Sequence, residues 1–168
     1  MVTNVSTELL NNILNDIKDL DFKYNYEYQH EVTDYYTKTF EEIEKKPYGM
    51  CYDLTNYLHF KLMDYNPKSY FIFHNFKDSY EIGCTHTFTV IDDSIMLDTA
   101  LEGDYITIAD SLEEIFDFQD SLEANEDMYR LDFVVIYEYT PDNVSRGIFE
   151  FIEWIEDTGT VIDYKRKW

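Results

Sequence analysis

Three residues whose types together perform nucleophilic catalysis stand in order along the chain: Cys51, His86 and Asp98. Cys51 follows Tyr48-Gly49-Met50 and opens a stretch with helical spacing. Its sulfur is therefore expected at the positive end of a helix dipole, which favours the nucleophilic thiolate. Gly49, just before it, would let a substrate or another backbone come close. A buried cysteine acting as a small hydrophobe is the commoner fate of this residue type, so the thiol needs a partner before it means anything.

His86 supplies one. On the segment CTHTFTVI, Cys84, His86, Phe88 and Val90 point one way and Thr85, Thr87, Thr89 and Ile91 the other. Phe88 and Val90 mark the first face as turned to the core, where a histidine must be hydrogen-bonded or functional. The return strand IMLDTA carries Asp98. If Val90 pairs with Ser94 across a three-residue turn, His86 stands directly opposite Asp98, with Cβ atoms roughly 4.5–5.5 Å apart. A two-residue turn would instead set Asp98 against Thr87 on the other face. The first register is expected, because a lone aspartate in that strand otherwise has no role. In this arrangement His86 accepts the Cys51 proton, Asp98 orients the ring, and the thiolate attacks a carbonyl to give a thioester. The amides at the start of the Cys51 helix are candidate oxyanion donors.

The positioning elements follow from periodicity. Apolar residues Leu9, Leu10, Ile13, Leu14, Ile17 and Leu20 predict a helix from Ser6 to about Leu20, capped at Ser6 or Thr7. A second helix is predicted over about Glu31 to Lys45, ended by Pro47-Tyr48-Gly49, and a third over about Met50 to Asp64. Beyond Pro67 the pattern alternates. Strands are predicted at Ser69–Phe76, Cys84–Ile91, Ile95–Ala100, Asp104–Ile108 and Leu131–Tyr139. A helical segment capped at Asp110 or Ser111 precedes the last of these, and an amphipathic helix over about Asn143 to Asp157 follows it. The expected fold is α+β in a single domain, residues 1–168: N-terminal helices, including a central one that starts at Cys51, packed on an antiparallel sheet, with a C-terminal helix.

The segments GMCYDLTNYLHFKL, THTFTVI and MLDTA together resemble the transglutaminase-like fold of the wider papain-like cysteine enzyme superfamily. The resemblance covers about Tyr48 to Leu101. It implies a nucleophilic Cys51 at the start of the central helix, His86 on a following strand and Asp98 on the next, acting on an amide of a peptide or protein without a cofactor. Relatives often carry an aromatic residue after the cysteine, as Tyr52 is here, and one after the histidine, where this chain has Thr87. The upstream glutamine of papain-type relatives has no counterpart in Glu44-Lys45-Lys46-Pro47-Tyr48, and Gln29 is the nearest substitute.

Composition sets the rival reading. The 168 residues are 45% hydrophobic and 18% aromatic, enough to form a core. Net charge is −22, and −18 of it lies between Asp92 and Asp157, where 20 acidic side chains face only Arg130 and Arg146. Such a surface aids solubility, or meets a basic protein partner by imitating nucleic acid. Direct nucleic-acid binding is disfavoured, since Lys165, Arg166 and Lys167 form the sole basic cluster. There is no secretory signal pattern and no membrane-spanning apolar run. With two cysteines, the expected compartment is a reducing cytoplasm with free thiols. A zinc site from Cys51, Cys84, His86 and Asp98 lacks paired ligand spacing, and no metal or cofactor is expected. The second function class is thus an acidic, catalytically silent binding protein, of a kind that would suit a phage or mobile element.

Overall fold

The computed structural model describes residues 6–24, 35–76, 84–98, 106–124 and 131–166. Five helices are described: α1 (Thr7–Ile17), α2 (Phe40–Lys45), α3 (Cys51–Lys61), α4 (Leu112–Ala124) and α5 (Ile148–Thr158). A short parallel pair joins β1 (Lys23–Tyr24) to β2 (Tyr48–Gly49). The main sheet contains β3 (Lys68–Phe76), β4 (Cys84–Ile91), β5 (Ile95–Leu97), β6 (Ile106–Ile108), β7 (Leu131–Tyr139) and β8 (Thr160–Val161). Its order is β6-β5-β4-β3-β7-β8, and every neighbouring pair is antiparallel. The α+β class is as the periodicity predicts. No helix among the described residues is long and apolar enough to cross a membrane.

Both faces of the sheet are covered. Tyr70, Ile72, Phe88, Val90, Met96 and Ile136 pack against Ile115 and Phe116 of α4. On the opposite face, Ile91, Ile95 and Leu97 meet Leu54, Leu58 and Leu62, with Ile13 and Ile17 of α1 behind them. Phe71 and Tyr139 meet Phe151 and Ile155 of α5 around Cys51 and Tyr52. Each fully buried Leu, Ile or Phe contributes about 1.5–3 kcal/mol. The alternation on β4 marks its Phe88 face as turned to the core, but the threonine face is equally closed: Thr87 and Thr89 are buried. That face holds α3 through hydroxyl pairs, Tyr52–Thr85 at 2.7 Å and Thr55–Thr87 at 2.9 Å, and His59 Nδ1 lies 3.1 Å from the Ser69 hydroxyl. Eight of the eleven α3 residues are buried, as suits a helix in the middle of the molecule.

Two predicted helices begin later than expected, for one shared reason. α2 starts at Phe40, behind a Thr39–Glu42 capping box, and residues 35–39 are not helical; 31–34 lie outside the described residues. α5 starts at Ile148, and Asn143 has φ 60°, in the left-handed region. The two non-helical segments bind each other. Thr37 N–H donates to Arg146 O at 2.7 Å, Arg146 N–H donates to Thr37 Oγ1 at 2.9 Å, and the Ser145 hydroxyl donates to Thr37 O at 2.5 Å. These long-range bonds outcompete a further turn of helix at either place. The predicted strands at 95–100 and 104–108 are described only as Ile95–Leu97 and Ile106–Ile108, because 99–105 lie outside the described residues.

Candidate active site

Cys51 is the first residue of α3, so its N–H is among those a helix cannot bond internally. What fixes this end of the helix is Asp53, the third helical residue. Its carboxylate accepts from Met50 N at 2.8 Å, from Lys38 N at 2.6 Å and from the Tyr35 hydroxyl. Asp53 is fully buried, and burial pushes its carboxyl up to about 6 in spite of these donors. Gly49 makes room for this group: a Cβ there would lie 2.4 Å from Asp53 Oδ2. Gly49 was expected to admit a substrate or backbone, but the close neighbour is a carboxylate of its own chain. Lys38 completes the turn, with Nζ donating to Tyr48 O at 2.6 Å.

His86 and Asp98 are bonded. The His86 Nε2 lies 2.6 Å from Asp98 Oδ1, with the Asp98 side chain fully buried and that of His86 15% exposed. The predicted register is corrected, however. Ile91 pairs with Ile95, Val90 with Met96 and Thr89 with Leu97. Asp92 and Asp93 both occupy the left-handed region, at φ 57° and 53°, and Ser94 N–H closes the turn on Ile91 O at 3.3 Å. The loop is therefore Asp92-Asp93-Ser94, one residue later than expected. Asp98 follows the last paired residue of β5 in the position that would face Phe88, so it lies diagonally from His86. The shift moves the pairing by two positions, which keeps both side chains on one face. The bond survives because diagonal neighbours remain within reach of long side chains.

With Nε2 directed at Asp98, Nδ1 is the ring nitrogen left for another partner. The Cys51 sulfur is near enough to the imidazole to raise its pKa. Burial pulls the His86 ring downward, but the carboxylate of Asp98 and the neighbouring sulfur outweigh it, holding the imidazolium well above the ordinary histidine range. His86 thus contacts Asp98 at the end of β5, and its ring feels the Cys51 sulfur at the start of α3. Cys51 itself is only 2% exposed.

One residue of this cluster escapes motif reading. Gln119 of α4 is 1% exposed, and its Nε2 donates to Asp98 Oδ2 at 2.5 Å and lies 3.1 Å from the Met96 sulfur. The signal for it is a polar residue on the apolar stripe Leu112, Ile115, Phe116 of an amphipathic helix. The next residue, Asp120, forms a second buried His–Asp pair, 3.0 Å from His74 Nε2. It also accepts from Arg166 at 2.9 and 3.0 Å and from the Tyr164 hydroxyl at 3.1 Å. Burial pushes its carboxyl up, yet His74 and Arg166 together hold it below the usual range. Cys84 pairs with His74 in the ladder, and its side chain lies outside the described residues, as does Gln29. Among the described residues, no group of three or more His, Cys, Asp or Glu could hold a metal ion. Trp154 packs beneath Arg146, whose guanidinium sits 4.1 Å from the ring centroid.

Compared with known proteins, the chain matches no family model and no curated sequence.

Proposed function

We propose that the protein is a cysteine-dependent acyl-transfer enzyme of transglutaminase-like type, an amide hydrolase or transamidase acting on a peptide or protein substrate. The observation that carries this reading is the His86–Asp98 bond through Nε2, on a ring whose charged form the Cys51 sulfur also favours. In the forward step the Cys51 thiolate attacks an amide carbonyl carbon. The C–N bond then breaks, and the leaving amine takes its proton from the His86 imidazolium. The product is a thioester on Cys51. Water, or a second amine, gives up a proton to His86 and attacks the thioester, releasing the acid or the new amide and restoring the thiol. Asp98 keeps its charge throughout and holds the ring. The candidate donor to the developing oxyanion is the Cys51 N–H at the start of α3.

The test is acylation by p-nitrophenyl acetate. The reading expects the mass of one acetyl group on the peptide carrying Cys51, removed by hydroxylamine, and no such adduct in His86→Ala. Acetyl appearing only on lysines would reject it.

One observation favours the second class, a catalytically silent binding protein that meets a basic partner through its acidic 92–157 region: Cys51 is 2% exposed. Cys51 belongs to a buried cluster with Tyr35, Met50, Tyr52 and Tyr139, so a substrate must disturb local packing to reach the sulfur. A thiol that stays inert toward every small electrophile would fit that class instead.

A further inference from the structure

We infer that Gln119 is a positioning residue for Asp98, and so for the orientation of the His86 ring; this rests on reading Cys51, His86 and Asp98 as one acyl-transfer site. The Asp98 carboxylate has two oxygens with two different tasks. Oδ1 faces His86 Nε2 at 2.6 Å, and Oδ2 accepts from Gln119 Nε2 at 2.5 Å. A carboxylate can only accept, so the amide must present its NH2 end here. The bond is charge-assisted and excluded from water, with Gln119 at 1% exposure and Asp98 at 2%. It restrains the rotation of the carboxylate about its own axis while Oδ1 holds the imidazole. It also favours the ionised carboxyl, the form that pairs with an imidazolium.

Gln119 is itself held in place. Ile115 and Phe116, one turn earlier on α4, are buried against the sheet. Asp120, the next residue, is anchored by His74 on β3 and by Arg166. The helix can therefore neither rotate nor slide without breaking a second buried ion pair. An element on the face of the sheet opposite α3 thus sets the geometry of a site whose sulfur belongs to α3.

The test compares the full chain with Gln119→Leu and Gln119→Glu by the pH profile of Cys51 alkylation with iodoacetamide, alongside thermal unfolding. Gln119→Leu should lower the rate on the acid side by about ten-fold, the size expected for one charge-assisted hydrogen bond. On the alkaline side, where any thiol ionises unaided, the rate should change by less than about two-fold. Gln119→Glu should cross over: near wild type where the new carboxyl is protonated and donates to Asp98, and impaired once two carboxylates face each other. Profiles for both variants that superimpose on wild type, with only a lower unfolding temperature, would overturn the inference while leaving the acyl-transfer reading intact. A wild-type profile that His86→Ala does not alter would remove that reading, and the inference with it. If Gln119→Leu does not fold, Gln119→Glu, of nearly the same volume, gives the same decision.

Discussion

His86 Nε2 and Asp98 Oδ1 lie 2.6 Å apart although the two residues do not face each other across the hairpin; Asp98 continues a register that would set it against Phe88. The contact is made diagonally, and the Asp98 carboxylate is steadied from the far side by Gln119. The pair should make stability depend on pH with a definite sign. The folded protein holds the His86 imidazolium well above the ordinary value of about 6.5. The contribution of the charged ring is therefore complete below that value and is lost as pH rises through the raised one. Asp98→Asn removes its main support. Wild type should exceed Asp98→Asn by on the order of 3 kcal/mol near pH 6, the cost of breaking a buried pair, and by less as pH rises through the raised value of the ring. Urea unfolding of both proteins across this range checks it; a gap that widens with pH contradicts it.

Gly49 is required by contact. A methyl group there would sit 2.4 Å from Asp53 Oδ2 and 3.0 Å from its Cβ, and that carboxylate cannot swing away without abandoning Met50, Lys38 and Tyr35. Gly49→Ala should cost about 1–3 kcal/mol by overpacking. Because the displaced group caps the helix that begins at Cys51, iodoacetamide labelling of Cys51 should also slow. A substitution that leaves the unfolding midpoint unchanged would show that the turn has slack.

Asp53 predicts a pH dependence opposite to that of a salt-bridged carboxylate. Burial lifts its carboxyl to about 6 in the folded chain, above the ordinary aspartate value of about 3.9. The folded state therefore binds this proton more tightly than the unfolded one. Relative to Asp53→Asn, wild type should gain stability as pH falls through about 6, by on the order of 2 kcal/mol, levelling off near 4. Parallel stability curves for the two proteins between about pH 7 and 4 would contradict this assignment.

The sequence makes the ladder strands and the central helix legible because their periods are unambiguous. β4 and β7 occupy the predicted spans, and α3 opens at Cys51. His86 and Asp98 can be placed on one face because a shift of two positions in pairing preserves facing, whereas the partner assignment itself depends on whether Asp92 or Ile91 opens the turn. Local pattern carries no trace of long-range competition. The helical spacing of residues 35–39 and 143–147 is overridden by Thr37 binding Arg146 and Ser145, more than a hundred residues away. Gln119 is hidden for a related reason: a lone glutamine in an amphipathic helix acquires its meaning from the carboxylate it meets, and that partner lies 21 residues earlier.

The convergence of Cys51 with His86 is tested by the rate of Cys51 alkylation with iodoacetamide near pH 6, in wild type and in His86→Ala, followed by peptide mass spectrometry. An ordinary cysteine is almost entirely protonated at about this pH and reacts slowly. Burial of the thiol slows both proteins alike, so their ratio isolates the imidazole. A wild-type rate at least about ten-fold above that of His86→Ala is predicted, from the imidazolium that Asp98 and the sulfur stabilise. Equal rates in the two proteins would mean that the ring does nothing for the sulfur.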